Sequence, residues 1–124
     1  MAAPNILSAS IITGKQYGAA LDTTTTTSLV ANAASSDDLY KINSIIVSNI
    51  DGSSGVDVSI KWYDSSASAS WHLCKTVSVP ADSTLVVLGK DSPIYLEEGD
   101  RIRGLASAAS DAQVTVSYEE LDDA

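Results

Sequence analysis

Three carboxylates stand within four residues in the segment SPIYLEEGDRIRG, and two arginines follow them. They are Glu97, Glu98 and Asp100, followed by Arg101 and Arg103. A glycosidase needs two carboxylates that face each other across a sugar, about 5–10 Å apart. Adjacent residues of an extended chain point to opposite faces. Glu97 and Glu98 therefore cannot form such a pair by themselves.

The same cluster suits a turn better than a calcium site. Calcium prefers about six to eight oxygen ligands, often from a D-x-D-x-D-G loop, and EEGD lacks that spacing. In a hairpin, Ile94 and Leu96 would close one strand and Ile102 would open the next. Gly99 would supply a positive φ and Asp100 would cap the turn. We interpret the cluster as a structural turn, with an ion or partner contact and catalysis as the alternatives.

His72 and Cys74 are the candidates for a cysteine–histidine nucleophile pair. They are two residues apart on a predicted strand, so they should share one face with Ser70, Thr76 and Ser78. A catalytic pair also needs an orienting partner and an oxyanion hole, and the sequence marks neither. We interpret this face as exposed or as a subunit contact. A single Cys and a single His also exclude a Cys/His zinc cage within one subunit.

Aromatic side chains raise the possibility of sugar binding, because aromatic rings stack on sugar faces. Trp62 and Trp71 fall on the apolar faces of their strands, which is typical of core anchors. Tyr63 and Tyr40 are the candidates for exposure. A glycan-binding module is therefore kept as a less favoured alternative.

Basic side chains are concentrated in the second part of the chain. If several share one face of a sheet, they could meet an acidic partner surface; the alternative is an ordinary solvated face. No phosphate-cradling Gly-rich loop, Gly-x-Ser-x-Gly elbow or His-Glu-x-x-His motif occurs. The sequence thus predicts no catalytic, cofactor-binding or metal-binding residue and no small-molecule substrate. The basic residues in question are Lys41, Lys61, Lys75, Lys90, Arg101 and Arg103.

Composition limits the classes of function further. The chain has 124 residues, which suits one domain, and 16 Asp and Glu against 7 Lys and Arg give a net charge of −9. Such a chain should repel nucleic acids, whose recognition requires clustered positive charge. The only cysteine, Cys74, excludes an intrachain disulfide. No signal segment and no apolar run of about 20 residues is visible, so we expect a soluble protein made in a reducing cytoplasm, without membrane contact.

The elements that must position these residues are β-strands. GVDVSIKWYD, ASWHLCKTVSV and AQVTVSYEE alternate between apolar and polar residues, which is typical of half-buried strands. LYKINSIIVSNI is largely β-branched, but its alternation slips in a way that suggests a bulge. STLVVLGK is a continuous apolar run compatible with burial on both faces. With regular turn signals between them, seven to nine strands predict a single antiparallel β-sandwich, either jelly-roll-like or immunoglobulin-like.

The first 36 residues differ from the rest. They contain only Lys15 and Asp22 as charges and include the threonine run Thr23–Thr27, which could add an edge strand. We therefore predict a low-charge N-terminal arm over residues 1–36, with one or two edge strands, and a β-sandwich core over residues 37–124. Deletion of the arm is expected to leave a folded sandwich and to weaken assembly.

The second part of the chain resembles small virion structural proteins of tailed bacteriophages. The resemblance covers roughly residues 37–121 and lies in the order of SNID, VPADSTLVV, PIYLEEGDRIR and a closing VTVSYEEL. YLEEGDRI is also distantly similar to a turn of the trimeric jelly rolls of the complement and tumour necrosis factor type.

These resemblances imply a non-enzymatic virion component. They favour a capsid decoration (cement) protein on the outer surface of the head, which would bind the major capsid protein and copies of itself as a homotrimer. A decoration protein needs a rigid domain and adhesive surfaces, and no cofactor. A neck, tail or fibre protein is the alternative within the same class.

Overall fold

The computed structural model describes residues 9–23 and 27–122. Within these ranges the chain forms nine β-strands joined by turns. The strands are β1 (Ile11–Ala20), β2 (Thr27–Ala31), β3 (Asp38–Asn49), β4 (Val56–Asp64), β5 (Ala69–Val79), β6 (Thr84–Leu88), β7 (Ile94–Leu96), β8 (Arg101–Ala106) and β9 (Ala112–Asp122).

The strands form two antiparallel sheets that pack as a sandwich. Sheet A has the order β1-β9-β3-β6, with β7 also paired to β3, and sheet B has the order β2-β8-β4-β5. The pairs β4–β5, β3–β6, β2–β8 and β1–β9 are nested in the sequence, each inside the next. A long hairpin folded over into two sheets in this way is the jelly-roll arrangement. The predicted all-β sandwich is confirmed, and of the two predicted strand orders the jelly-roll one applies.

Alternating apolar residues from both sheets fill the space between them. Val56, Val58 and Ile60 of β4 in sheet B, and Val114 and Val116 of β9 in sheet A, are at most 2% exposed. Complete burial of a Val or Ile side chain contributes about 1.5–3 kcal/mol. The period-two pattern of the sequence therefore describes the core well along these two strands.

Strand β3 contains a bulge where the alternation of the sequence slips. Its register against β9 shifts between Ile42 and Ser44. Ile42, Ile45 and Val47 are nevertheless all fully buried, because the extra residue returns the chain to the inward direction after the bulge. The predicted bulge is confirmed.

Strand β6 lies at the edge of sheet A, beside β3. The prediction that STLVVLGK is buried on both faces is therefore wrong. Leu88 is 8% exposed, but Val86 is 60% exposed. An apolar run by itself does not determine how many faces of a strand are covered.

The strands of the predicted arm lie at the outer edges of the two sheets: β1 pairs with β9, and β2 pairs with β8. Leu21, Leu29 and Val30 from this part of the chain are at most 4% exposed and belong to the core. Of the threonine run, residues 24–26 lie outside the described residues, and Thr27 begins β2.

Because Gly104 of β8 has no side chain, it leaves space for both Leu21 and Leu29. A Cβ atom on Gly104 would lie 2.8 Å from Cδ2 of Leu21 and 3.2 Å from Cδ1 of Leu29. The residues before position 36 thus complete a surface that the rest of the sandwich leaves open. The expectation that the sandwich stays folded without residues 1–36 is replaced by the expectation that it does not.

Two buried asparagines, one at each end of the sandwich, join segments of the two layers. Asn49 of sheet A donates its Nδ2 hydrogens to the carbonyls of Val79 in sheet B (3.0 Å) and Ser54 (2.9 Å). Asn32, which follows β2, donates in the same way to the carbonyl of Leu96 in sheet A (3.0 Å). Both side chains are at most 2% exposed, so each bridges the two layers where no strand ladder can.

Candidate functional site

The turn between β7 and β8 uses its acidic residue to hold the backbone. Asp100 is 2% exposed, and its two carboxylate oxygens accept hydrogen bonds from the amides of Ser65 (2.9 Å) and Glu97 (3.0 Å). Gly99 has a φ of 86°, a region that favours glycine. The predicted roles of Gly99 and Asp100 in the turn are confirmed, and Asp100 additionally joins this turn to the turn after β4.

The remaining carboxylates of the cluster point elsewhere. Glu97 is exposed and Glu98 is half-buried. Oε2 of Glu98 accepts a hydrogen bond from the amide of Asp37 (2.9 Å). Since Asp100 is turned into the loop, the three acids do not converge on a common point. The described residues also contain no group of three or more His, Cys, Asp or Glu side chains that could hold a metal ion.

Three basic side chains come together on the outer face of sheet B. In the β4–β8 ladder Lys61 lies directly opposite Arg103, and Tyr63 lies directly opposite Arg101. The Cζ atoms of Arg101 and Arg103 lie 5.0 Å and 4.3 Å from the centroid of the Tyr63 ring, within the range of a cation–π contact. We refer to Lys61, Tyr63, Arg101 and Arg103 as the basic face.

Within residues 9–23 and 27–122, the cations of the basic face form no ion pair with a carboxylate. The ion pair of this part of the chain joins Lys15 Nζ to Glu120 Oε2, 3.0 Å apart. Like charges placed directly opposite each other in an antiparallel pair destabilise it. Lys61 and Arg103 therefore repel each other, and among the described residues no carboxylate pairs with either of them. The other predicted basic residues lie elsewhere, with Lys41 in the outer row of β3 and Lys75 on β5.

His72 and Cys74 lie on opposite faces of β5, so the prediction that they share one exposed face is wrong. His72 lies opposite Lys61, whereas Cys74 lies opposite Ile60, and consecutive residues of β4 point to opposite sides. A bulge at Leu73 causes the change. Cys74 packs against the core, where burial raises the pKa of its thiol, and His72 is exposed on the outer side.

The two tryptophans differ in their surroundings although they lie opposite each other in the β4–β5 ladder. Trp62 is half-buried against the core, as predicted, but Trp71 is 55% exposed. The prediction that Trp71 is a core anchor is wrong: β5 is at the edge of sheet B, and none of the described residues covers the ring. Tyr63 and Tyr40 are both half-buried, which leaves Trp71 as the aromatic side chain with a free ring among those considered for sugar binding.

Carboxylates accumulate at the start of β3 and the end of β9. Asp38 lies directly opposite Asp122, and Glu120 lies opposite Tyr40. The pKa of the Asp38 carboxyl is raised by burial first, and then by the negative charges of its neighbours. We refer to these carboxylates, together with two from the adjoining loops, as the acidic rim. Its members are Asp37, Asp38, Glu98, Glu120 and Asp122.

Two stacked tyrosines border the acidic rim. The rings of Tyr40 and Tyr118 are 5.5 Å apart and inclined by 28°. Burial raises the pKa of both hydroxyls, and for Tyr40 a hydrogen bond to Glu120 adds to the increase. Both tyrosines therefore stay neutral at physiological pH and contribute ring surface and hydrogen bonds to this end of the sheet.

The outer face of sheet A carries shallow polar depressions. One of ≈ 520 Å³ is lined by Lys41, Asn43, Lys90 and Glu119, with two serines. Glu119 accepts a hydrogen bond from Nδ2 of Asn43 (3.1 Å). This depression therefore presents mixed charges over a flat ladder, without a pair of carboxylates facing each other.

The comparisons with known proteins bear on the fold. No family model matches the chain, and no curated protein matches it. A solved structure is similar, a chain from Bacillus endospore appendages, which are described as a family of disulfide-linked pili. The TM-score is 0.53 at 16% sequence identity, with 91% of this chain and 89% of that chain covered. The likeness supports the β-sandwich architecture over nearly the whole length of both chains.

The structure was also searched for a helix that could cross a membrane. Across the part of the chain that the structure describes, no helix has the length and apolar character needed to span a bilayer.

Proposed function

We propose that this chain is a non-enzymatic structural protein of a tailed-bacteriophage virion, and that it acts as a decoration protein on the outer surface of the capsid. The observation that carries the proposal is the resemblance of residues 37–121 to small phage virion proteins. In this interpretation the chain binds the major capsid protein and copies of itself, as a homotrimer, and needs no cofactor.

The use made of the polar residues supports a role in binding. The side chains of Asp100, Asn32 and Asn49 all form hydrogen bonds with backbone groups of the fold. Other charged groups lie on the surface, in the basic face and in the acidic rim, where Glu120 is paired with Lys15. A rigid sandwich with charged patches is suited to contacts with other proteins, in which charge complementarity guides docking.

A second candidate within the structural class is a subunit of a filamentous or tail-like assembly. It is favoured by the similarity to the endospore appendage chain, which shares the architecture over 91% of this chain. The same fold can serve different assemblies, so the position of the protein in a particle separates the two candidates.

Cryo-electron microscopy of intact particles tests the proposal. We expect density for the sandwich on the outer face of the head, at axes between capsid subunits. Density restricted to the neck, tail or fibres would contradict the decoration role and support the second candidate. Mass spectrometry of purified virions provides the broader test, because virions that lack the chain would contradict every role in a phage particle, on the head or in the tail.

A further inference from the structure

The basic face is unusual for a chain of net charge −9. Three of its 7 basic residues lie side by side on two neighbouring strands, with Lys61 directly opposite Arg103. The alternation of β4 and β8 only requires that the opposite side of each strand be apolar, so it does not by itself require these charges to be neighbours. Their juxtaposition creates a positive surface on an acidic molecule.

The two arginines of the basic face are also positioned before any partner arrives. Both guanidinium groups lie against the ring of Tyr63, at 5.0 Å and 4.3 Å from its centroid. Held in this way, a guanidinium keeps its donors free for carboxylates and loses less conformational freedom on binding. The partner that fits is therefore a surface with closely spaced carboxylates.

The chain itself carries such a surface in the acidic rim. Asp38 and Asp122 lie directly opposite each other, and the neighbouring negative charges make ionisation of Asp38 less favourable. Within the rim, Lys15 forms an ion pair with Glu120, but the charges of the neighbouring carboxylates still act against ionisation of Asp38. Contact between the two patches would place the cations of the basic face beside these carboxylates.

A single molecule cannot make this contact with itself. The basic face lies on the outer side of sheet B, whereas Asp38, Glu120 and Asp122 of the rim lie on β3 and β9 of sheet A. Glu98, in the turn before β8, forms no ion pair with the basic face. The two sheets of a sandwich are separated by a core about 10 Å thick. Only a second copy can bring an acidic rim against the outer side of sheet B.

We propose that the basic face is a self-association surface that docks on the acidic rim of a second copy of this chain. The contact is local, since charges separated by more than about 8 Å are largely screened at physiological ionic strength. The net repulsion between two acidic molecules is therefore weakened while the contacting pairs remain. This inference shares with the proposed function only the requirement that the protein associates with itself.

Sedimentation velocity of the purified full-length protein tests the interface. We expect association in about 0.05 M NaCl that weakens at least about tenfold in about 0.5 M NaCl, because salt screens the contacting charges. Arg103→Glu should abolish it, and Arg103→Gln should weaken it. Lys75→Glu changes the net charge by the same amount as Arg103→Glu at an exposed position outside the basic face, and should leave association near the wild-type level.

A mixing experiment tests the pairing of the two patches. Asp38→Lys reverses a charge in the rim but leaves the basic face intact. Arg103→Glu reverses a charge in the basic face but leaves the rim intact. Each variant alone should sediment as a monomer, whereas an equimolar mixture should form a mixed complex. Asp91→Lys, at an exposed turn position, is the matched control for the rim and should still associate. Circular dichroism melts verify that every variant is folded.

Three results would overturn the inference. They are a wild-type protein that stays monomeric at low salt, association that strengthens with salt, and an effect of Lys75→Glu as large as that of Arg103→Glu. None of them bears on the presence of the chain in virions. A failure of this interface is therefore distinguishable from a failure of the proposed function.

Discussion

Single polar residues of this chain act mainly on its own backbone. Asp100, placed in an acid cluster by the sequence, satisfies the amides of Ser65 and Glu97 in a buried turn. A buried amide without an acceptor costs about 1–3 kcal/mol. Residues of this kind stabilise the fold, although in the sequence they resemble candidates for chemistry.

Asp100→Ala should lower the free energy of unfolding by about 1–3 kcal/mol, because two partly buried amides lose their acceptors together. Urea denaturation followed by circular dichroism measures the change. The neighbouring substitution Glu97→Ala removes an exposed carboxylate and should alter stability by less than about 0.5 kcal/mol. Equal effects of the two substitutions would contradict the capping role of Asp100.

The raised pKa of Asp38 predicts that the stability of the protein depends on pH. Burial first, and then Asp122, Glu120 and Asp37, raise the pKa of its carboxyl above the ordinary value of 3.8. The folded chain therefore binds more protons here than the unfolded chain, and the stability contribution decreases as pH rises from 3.8 through the raised pKa. Asp38→Asn should accordingly raise the melting temperature at neutral pH.

The advantage of Asp38→Asn should disappear below pH 3.8, where Asp38 is protonated in both states. Thermal melts of both proteins at about pH 7 and about pH 3 measure it. A gain of the same size at both pH values would show that packing, and not charge, is responsible.

At the scale of strands, edges and bulges decide which side chains are available. β5 is an edge strand with a bulge; the bulge sends Cys74 to the core side, and the open edge leaves Trp71 exposed. β6 is an edge strand as well, so Val86 is exposed although it stands in an apolar run. The N-terminal part of the chain, in contrast, brings two buried leucines into the core, Leu21 after β1 and Leu29 in β2.

Leu29→Ala should destabilise the protein by about 2–5 kcal/mol, the usual cost of removing a buried leucine side chain, since Leu29 is 4% exposed. Deletion of residues 1–36 removes this residue together with Leu21 and should abolish cooperative unfolding. Ile12→Ala is the matched control within the same part of the chain, because Ile12 is 57% exposed. A truncated protein that still melts cooperatively would show that these residues are dispensable for the core.

At the scale of the whole molecule, charge is the dominant property. A net charge of −9 favours solubility but repels itself within the folded state, and the basic face and acidic rim add two local repulsions. In the proposed assembly, the same charges that weaken the isolated domain would supply contacts to other copies or to capsid subunits. On this proposal, the stability of the free protein and its capacity to assemble are coupled.

Added NaCl should raise the melting temperature of the isolated protein by a few degrees at neutral pH, since it screens this self-repulsion. Differential scanning calorimetry at low protein concentration measures the shift without interference from association. Near the sequence pI of about 4.2 the net charge is close to zero, and the shift should become much smaller. A melting temperature that falls with salt at neutral pH would contradict net repulsion.

The sequence by itself determined the local features of this protein. Alternation of apolar and polar residues specifies strands whichever partners they have, so the all-β sandwich and the bulge of β3 could be predicted. Gly99 and Asp100 specify their turn through backbone conformation and short-range hydrogen bonds. Each of these depends on interactions between residues close in the chain.

Only the tertiary structure decided which strands are neighbours and which side chains from distant parts of the chain come together. The jelly-roll order, the edge positions of β5 and β6 and the burial of Leu21 and Leu29 follow from pairing between distant segments. The basic face is of the same kind, because Lys61 and Arg103 are neighbours only through the β4–β8 ladder. Periodicity tells on which side of a strand a residue points, but strand pairing and register determine which charges share that side and which strands remain uncovered.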